Sequence, residues 1–494
     1  MKSTQNFITL FLFSILTIIY SYVALSSYGY DDEFFNIKWI EELGSGVYSY
    51  VQNRDVHPPL SYLLNYIFFE ITGSWSLVRL INAFIVLFIF FYAFRNIKQT
   101  YDFRTAIVFF ILFCLNPGFL LYLPSLRWYA YALPVIIWLS FIPKESIYRW
   151  YKLFIGFVVL AYINYVAFIL FLPYLLLYWM KDELPAKEKF KNMLLPALLA
   201  LMLYSHQFYI FVTVHMHNSD SQTSNLIMSL IGFFTAQAGH IGAFPISFSS
   251  ILSSIGFLIL FIYILQVERK MIIKNHYFIS YTLSVSLMIF SGLAGKFRNL
   301  MVLSPLQVLL IIPYIQKGLS HKVIKIAVLL ILSSYIIGIY NVVMHQNTTK
   351  NSWNLPMREL VRIVEIYEKN NIEIFTHDPT ITYYLEKNGY KVYSPYLQVR
   401  SLILDDSLYQ KNKTKNIYIL IKTFRGSIPK NDYAIMINQF SSIADAKINS
   451  YELGFDKYYK LKRYIYDDYQ PHAISIEIYE DVKQGEVDKN KWLR

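Results

Sequence analysis

Cysteine and charge are both scarce in this chain, and each scarcity closes off a class of protein. One cysteine, Cys114, stands among 494 residues. It cannot make an intramolecular disulfide, so any exported part folds without one. It also lies inside an apolar run, poor ground for a thiol nucleophile. Only 16% of the residues are charged, where soluble domains carry about a quarter. No internal repeat and no low-complexity linker is visible. Mean hydropathy is +0.36, although a polar stretch from about residue 345 closes the chain. The apolar content is therefore concentrated upstream of it. The formal charge of +12 would suggest nucleic acid in a soluble protein. Here the basic residues fall mostly between apolar runs, which is the pattern of membrane topology, and no nucleic-acid partner is expected.

A spanning helix needs roughly 17–25 mostly apolar residues. Eleven stretches qualify, near 7–27, 75–94, 105–123, 126–142, 149–163, 165–180, 194–213, 249–266, 277–294, 299–316 and 323–343. Two further apolar stretches, 58–72 and 225–239, read as interfacial or re-entrant helices, so the expected count is 11–13. A cleaved signal peptide is the competing reading of 7–27. With the N-terminus inside, the inner loops hold 17 Lys and Arg residues, from Lys2 to Lys325. The outer segments before the tail hold six: Lys38, Arg54, Arg79, Arg127, Lys296 and Arg298. That bias puts loop 28–74 and the tail on the non-cytoplasmic side. The expected fold is a polytopic α-helical membrane domain over 1–344, followed by a soluble α/β domain over 345–494. In the tail, helical spacing covers 355–369, and β-rich runs occupy 372–376, 417–422 and 473–479.

The first outer loop concentrates the polar chemistry. Residues 30–36 read Tyr-Asp-Asp-Glu-Phe-Phe-Asn, and 54–60 read Arg-Asp-Val-His-Pro-Pro-Leu. Carboxylates at a membrane exit suit a solvated helix start, where negative charge favours the N-terminus. His57 precedes proline and is biased to extended backbone. Pro58 and Pro59 suit the start of a following helix. Two arginines stand on the unfavoured side of the bilayer. Arg127 lies in Pro-Ser-Leu-Arg-Trp-Tyr-Ala-Tyr and Arg298 in Ala-Gly-Lys-Phe-Arg-Asn-Leu. An outer arginine at a span mouth calls for an anionic partner, a carboxylate such as Asp55, or a lipid headgroup.

An Asp-Glu pair after the first span, then Asp-x-His-Pro-Pro-Leu, then Gly-Ser-Trp-Ser-Leu-Val-Arg-Leu, resembles the GT-C membrane glycosyltransferases. The branch most similar is that of protein O-mannosyltransferases and lipid A aminoarabinose transferases. Arg127 with Tyr129, and Arg298 ahead of Ser304-Pro305, resemble two further motifs of the branch. The resemblance covers roughly 1–320 and implies transfer of a sugar from a polyprenyl-phosphate donor on the outer face. It implies Asp32 as catalytic base with Glu33 beside it, and His57, Arg127 and Arg298 on the carrier phosphate. Tyr129 would join them, and Asp55 would hold His57 or touch sugar hydroxyls. The chain departs from the pattern at His57, where relatives often carry lysine, at Asn299, where many carry an aromatic, and at Asn164, where some carry histidine. The acceptor, whether protein, lipid or glycan, is not written in these motifs. Asp, Glu and His are metal-ligand types, but their spacing specifies no metal, and no cofactor is expected. A polysaccharide polymerase or ligase would share the donor. A secondary transporter would place its polar groups near mid-membrane in repeated halves, which this sequence does not.

The topology predicts that a cysteine at position 32, in a Cys114→Ala background, reacts with a membrane-impermeant maleimide added outside intact cells. Labelling only after access to the cytoplasmic side would overturn the orientation.

Overall fold

Helices occupy all eleven apolar stretches of the computed structural model. It describes residues 2–26, 31–54, 58–142, 149–180, 185–210, 212–213, 248–267, 276–290, 303–318, 321–343, 364–365, 369, 372–376, 379–393, 417–425, 459–466 and 472–480. The interfacial stretch 225–239 lies outside these. In chain order, α1 is Lys2–Ser26, α2 Asp31–Leu43, α3 Val47–Arg54, α4 Leu60–Thr72 and α5 Trp75–Thr100. Then come α6 Phe103–Phe109, α7 Pro117–Tyr122, α8 Tyr129–Ser140, α9 Arg149–Ile163, α10 Tyr165–Met180 and α11 Ala186–Ile210. The set continues with α12 Phe248–Val267, α13 His276–Phe290, α14 Ser304–Gly318 and α15 Lys322–Val343.

The helices are inside-out by the standard of a soluble protein. In α5, Phe90 is 0% exposed while Phe88 is 72% exposed. In α1, Leu16, Tyr20, Val23 and Ala24 are buried, whereas Phe7, Leu10, Phe11 and Ile18 face outward. Outward faces this apolar need hydrocarbon rather than water around them. Among the described residues four helices are long and apolar enough to cross a membrane: Ser3–Ser26, Trp75–Thr100, Phe190–Ile210 and Lys322–Val343. Shorter apolar helices, such as Tyr129–Ser140 and Ser304–Gln316, accompany them. The chain is thus a polytopic integral membrane protein with a C-terminal α/β domain.

Packing within the bundle depends on aromatic edges and on missing side chains. Phe13 of α1 meets Phe91, Phe94 and Phe110 edge-on, at 5.3, 5.6 and 5.3 Å between centroids, the geometry favoured by the ring quadrupole. In α12, Gly256 lies against α15 so closely that a Cβ there would sit 2.6 Å from Ile331 Cγ1 and 2.9 Å from the Ala327 carbonyl oxygen. Small residues allow this approach where lipid offers no hydrophobic drive between helices.

Two predicted spans need correction. The stretch 105–123 is not one helix. After α6 the chain makes a π-helical turn, Phe110–Cys114, and α7 starts afresh at Pro117. Asn116 Oδ1 accepts the Gly118 N–H at 2.8 Å, capping α7 with proline at its first turn, as the missing proline N–H favours. The stretch 126–142 likewise enters helix only at Tyr129, leaving Leu123–Trp128 as a non-helical connection.

The chain divides into two compact units, Met1–Ser27 with Trp39–His345, and Tyr28–Lys38 with Gln346–Arg494. The second holds a five-stranded sheet of β1 Ile372–Thr376, β2 Val392–Tyr393, β3 Ile417–Arg425, β4 Tyr459–Tyr466 and β5 His472–Glu480. The strand order is β2-β1-β3-β5-β4. Strands β2, β1 and β3 pair in parallel, with Ile374 opposite Val392 and Ile419. Strand β5 then pairs antiparallel with both β3 and β4. The helix α16, Pro379–Lys387, connects β1 to β2 and buries Ile381 and Leu385, the crossover that parallel pairing requires. The three β-rich runs of the sequence correspond to β1, β3 and β5. Of the predicted helix over 355–369, the described residues include Val364 and Glu365, which are helical.

Two outcomes follow. Gly256→Val should lower the thermal unfolding midpoint in detergent, at a cost of about 1–3 kcal/mol from overpacking. Asp102 caps α6 by accepting the Thr105 N–H at 2.7 Å. Burial pushes its carboxyl up, but hydrogen bonds led by Thr105 outweigh that and hold it below the ordinary carboxylate range. A depressed value in the fold contributes stability above the unfolded pKa, lost as pH falls through the folded one. Asp102→Ala should therefore cost about 1 kcal/mol near neutrality. The gap between variant and wild type should close in melts taken below about pH 4.

Candidate active site

The acidic motif opens α2. Asp31 and Asp32 occupy its first two positions, where negative charge complements the helix dipole. Their side chains lie outside the described set. Glu33, one residue on, is fully buried, and Asn36 and Ile37 are buried too. These residues belong to the second compact unit and the remaining candidates to the first. Asp55, His57 and Arg298 lie outside the described residues.

Past the motif, aromatic side chains fix the loop. Trp39 stacks on Tyr62 at 5.8 Å and tilts against Tyr50 at 5.3 Å. Pro58 and Pro59 are buried, and α4 begins at Leu60, with the Leu63 N–H bonding to the Pro59 carbonyl at 3.0 Å. Gly73 ends α4 at φ 63°, and its N–H bonds to Phe69 O at 2.7 Å. A left-handed residue closing a helix is glycine's usual place. The chain can thereby reverse into α5, where Trp75 stacks on Phe69 at 4.1 Å and donates its indole N–H to Glu41 Oε1 at 2.8 Å. The Gly-Ser-Trp motif is thus the hinge that aims α5. One turn into that helix Arg79 is 4% exposed. The sequence offered it as one of six outer basic residues and as the arginine of the Gly-Ser-Trp-Ser-Leu-Val-Arg-Leu motif, with no role assigned.

Arg127 is the candidate whose surroundings are best defined. It is 6% exposed and sits in the non-helical connection between α7 and α8. Two carboxamides from other helices hold the residues just before it. Asn65 of α4 donates its Nδ2 to the Leu126 carbonyl at 2.9 Å. Asn82 of α5 donates its Nδ2 to the Ser125 carbonyl at 3.0 Å. Tyr131, in the first turn of α8, donates its hydroxyl to Asn65 Oδ1 at 2.6 Å, and the Asn82 side chain adjoins the same hydroxyl. Ser125 Oγ donates to Tyr122 O at 2.5 Å. Beyond the arginine, the Ala130 N–H bonds to Arg127 O at 3.2 Å and starts α8. Tyr129 is 2% exposed, edge-on to Tyr122 at 5.4 Å and tilted against Trp128 at 4.2 Å.

Asn65 and Asn82 are wholly buried, and each satisfies a carbonyl that no helix ladder serves. A buried carbonyl left without a partner costs about 1–3 kcal/mol, more than a typical hydrogen bond contributes, so this geometry is strongly specified. Sequence reasoning passed over Asn65, Asn82 and Tyr131. The signal was present as two asparagines inside otherwise apolar helices, where polar side chains are rare without a purpose. Asn164, which departs from the resemblance, has a local role: its Oδ1 accepts the Ala167 N–H at 3.1 Å and caps α10 after α9. Among the described residues no three His, Cys, Asp or Glu side chains gather as a metal ion would need.

No family model matches this chain, and no curated protein does. Solved structures do, and what they share with this chain is the fold. ArnT from Cupriavidus metallidurans in its apo state superposes with a TM-score of 0.54 at 11% identity, over 96% of this chain and 98% of that one. The same protein bound to undecaprenyl phosphate gives 0.51 at 10% identity, over 94% and 97%.

Proposed function

We propose that this protein is an integral membrane glycosyltransferase that moves a sugar from a polyprenyl-phosphate carrier to an acceptor hydroxyl. The observation that carries the reading is the GT-C fold shared over nearly the whole chain with ArnT, one structure of which holds undecaprenyl phosphate. The positions of the motifs support it. The acidic pair begins a helix just after α1, and a buried arginine sits in a held turn. Guanidinium binds phosphate through two parallel donors, which suits a carrier phosphate more than a lone ammonium would.

The reaction is read as an inverting displacement. The acceptor oxygen attacks the anomeric carbon and forms the new glycosidic bond. The bond from that carbon to the phosphate oxygen breaks, and its electron pair leaves with polyprenyl phosphate. The acceptor's proton passes to the Asp32 carboxylate. Glu33 follows Asp32 by about 100° around the helix, so one of the two serves as base. Arg127, Arg298 and His57 offset the charge that develops on the departing phosphate. Asp55 orients His57 or contacts sugar hydroxyls, and Tyr129 completes the wall beside Arg127. A histidine rather than a lysine at position 57 would make that contact depend on pH. The Lys and Arg bias supports an outward-facing site and tail with the N-terminus in the cytoplasm, and the richness in Ile, Lys, Asn and Tyr suits a bacterial inner membrane.

Transfer from radiolabelled undecaprenyl-phosphate sugars in isolated membranes tests this reading. Asp32→Asn should reduce the rate roughly 100-fold or more, the usual contribution of a general base. Wild-type rates from a well-expressed Asp32→Asn protein would remove Asp32 from the chemistry.

A further inference from the structure

We propose that Asn65, Asn82 and Tyr131 form a positioning clamp for Arg127, and that carrier-phosphate affinity is set through them. The inference rests on the reading that Arg127 binds a carrier phosphate. Arg127 belongs to a connection that has left helical form within the apolar bundle. Buried backbone of that kind persists only when its polar groups find partners inside the protein. The two residues that precede Arg127 find theirs on two different helices, Ser125 on Asn82 of α5 and Leu126 on Asn65 of α4. The two contacts fix the path of the chain at successive carbonyls, which sets the direction in which the next residue leaves.

The amide orientations are determined by the network itself. A backbone carbonyl only accepts, so the group facing Leu126 O must be the Asn65 NH2. Its other end, Oδ1, then receives the Tyr131 hydroxyl at 2.6 Å. Tyr131 stands four residues after Arg127, one helical turn on in α8. The clamp therefore ties the chain on both sides of the arginine, with Asn65 as the common point. The Tyr131 hydroxyl has one proton, and with that proton on Asn65 its oxygen can only accept from the Asn82 side chain beside it. Asn82 Nδ2 remains committed to Ser125. All three side chains are at most 5% exposed, so none is placed to meet a substrate directly. They act through Arg127.

A side chain at 0.5–1 Å from its productive position is enough to weaken a forked contact. Tyr131→Phe removes one hydroxyl and little volume, and should weaken affinity for undecaprenyl phosphate several-fold. Asn65→Leu and Asn82→Leu, which remove the donors, should each weaken it about 10-fold or more. Binding is measured on purified full-length protein in detergent, with undecaprenyl phosphate as the probe. The decisive comparison is made in an Arg127→Ala background. There the clamp substitutions should have no further effect on affinity, because the residue they position is gone.

Losses that add to that of Arg127→Ala, or unchanged affinity in Tyr131→Phe and Asn65→Leu proteins that elute as single species, would overturn the clamp while leaving the carrier reading in place. A wild-type protein that does not bind the probe would overturn the carrier reading, and the clamp with it. A merely structural role would lower the unfolding temperature of all three variants and leave affinity at the wild-type value in the folded fraction.

Discussion

Hydrogen bonding of backbone in an apolar phase is the constraint on which this architecture turns. A helix meets it internally, so most of the N-terminal unit is helix. Where the chain must do something else, the cost of a bare carbonyl forces a named partner into place. Leu123–Trp128 is such a place. Its Ser125 and Leu126 carbonyls are met by Asn82 and Asn65, and the break upstream is met by the Asn116 cap. Arg127 sits where that departure from helix ends. A guanidinium in such a position needs a rigid mount, and the mount is made from the same bonds that let the chain leave its helix.

Hydropathy made the spans legible, because lipid rewards length and apolarity with little regard for order. It could not show where a span breaks. The run from Thr105 to Leu123 is apolar throughout its first half, and only Asn116-Pro117 interrupts it. Proline at a helix start and proline within a helix look alike in one dimension, and α8, α10, α11 and α14 each carry an internal proline without ending. In the C-terminal unit, β1, β3 and β5 stood out as isoleucine-rich runs. Strand β4, with Lys460, Lys462 and Arg463 among its eight residues, did not. Its pairing with β5 overrides a composition that reads as surface loop.

The site was legible in part and for a different reason. Asp32, Glu33, Arg127 and Tyr129 were singled out as candidates because charge and motif placed them where topology made them costly. The structure adds what surrounds Arg127: two asparagines and a tyrosine from three helices, separated by tens of residues in sequence. No local pattern joins Asn65 to Leu126. They meet because α4 and α5 are folded back on each other about Gly73, and because α8 starts directly after the arginine. Contacts between distant segments are what a linear reading loses first, whereas a helix start such as Pro59-Leu60 can be read on the spot.

The order of strands in the C-terminal sheet has a consequence for biogenesis. β5 is the last of the described strands, yet it lies between β3 and β4, and among those strands β4 pairs with β5 alone. The sheet therefore cannot be completed as its strands emerge in turn. β4 must wait, unpaired, until residues up to Glu480 have been delivered, and a premature stop anywhere within β5 strands it. A nascent chain truncated before His472 would thus leave the β5-facing edges of β3 and β4 bare together, the kind of exposed strand edge that invites aggregation.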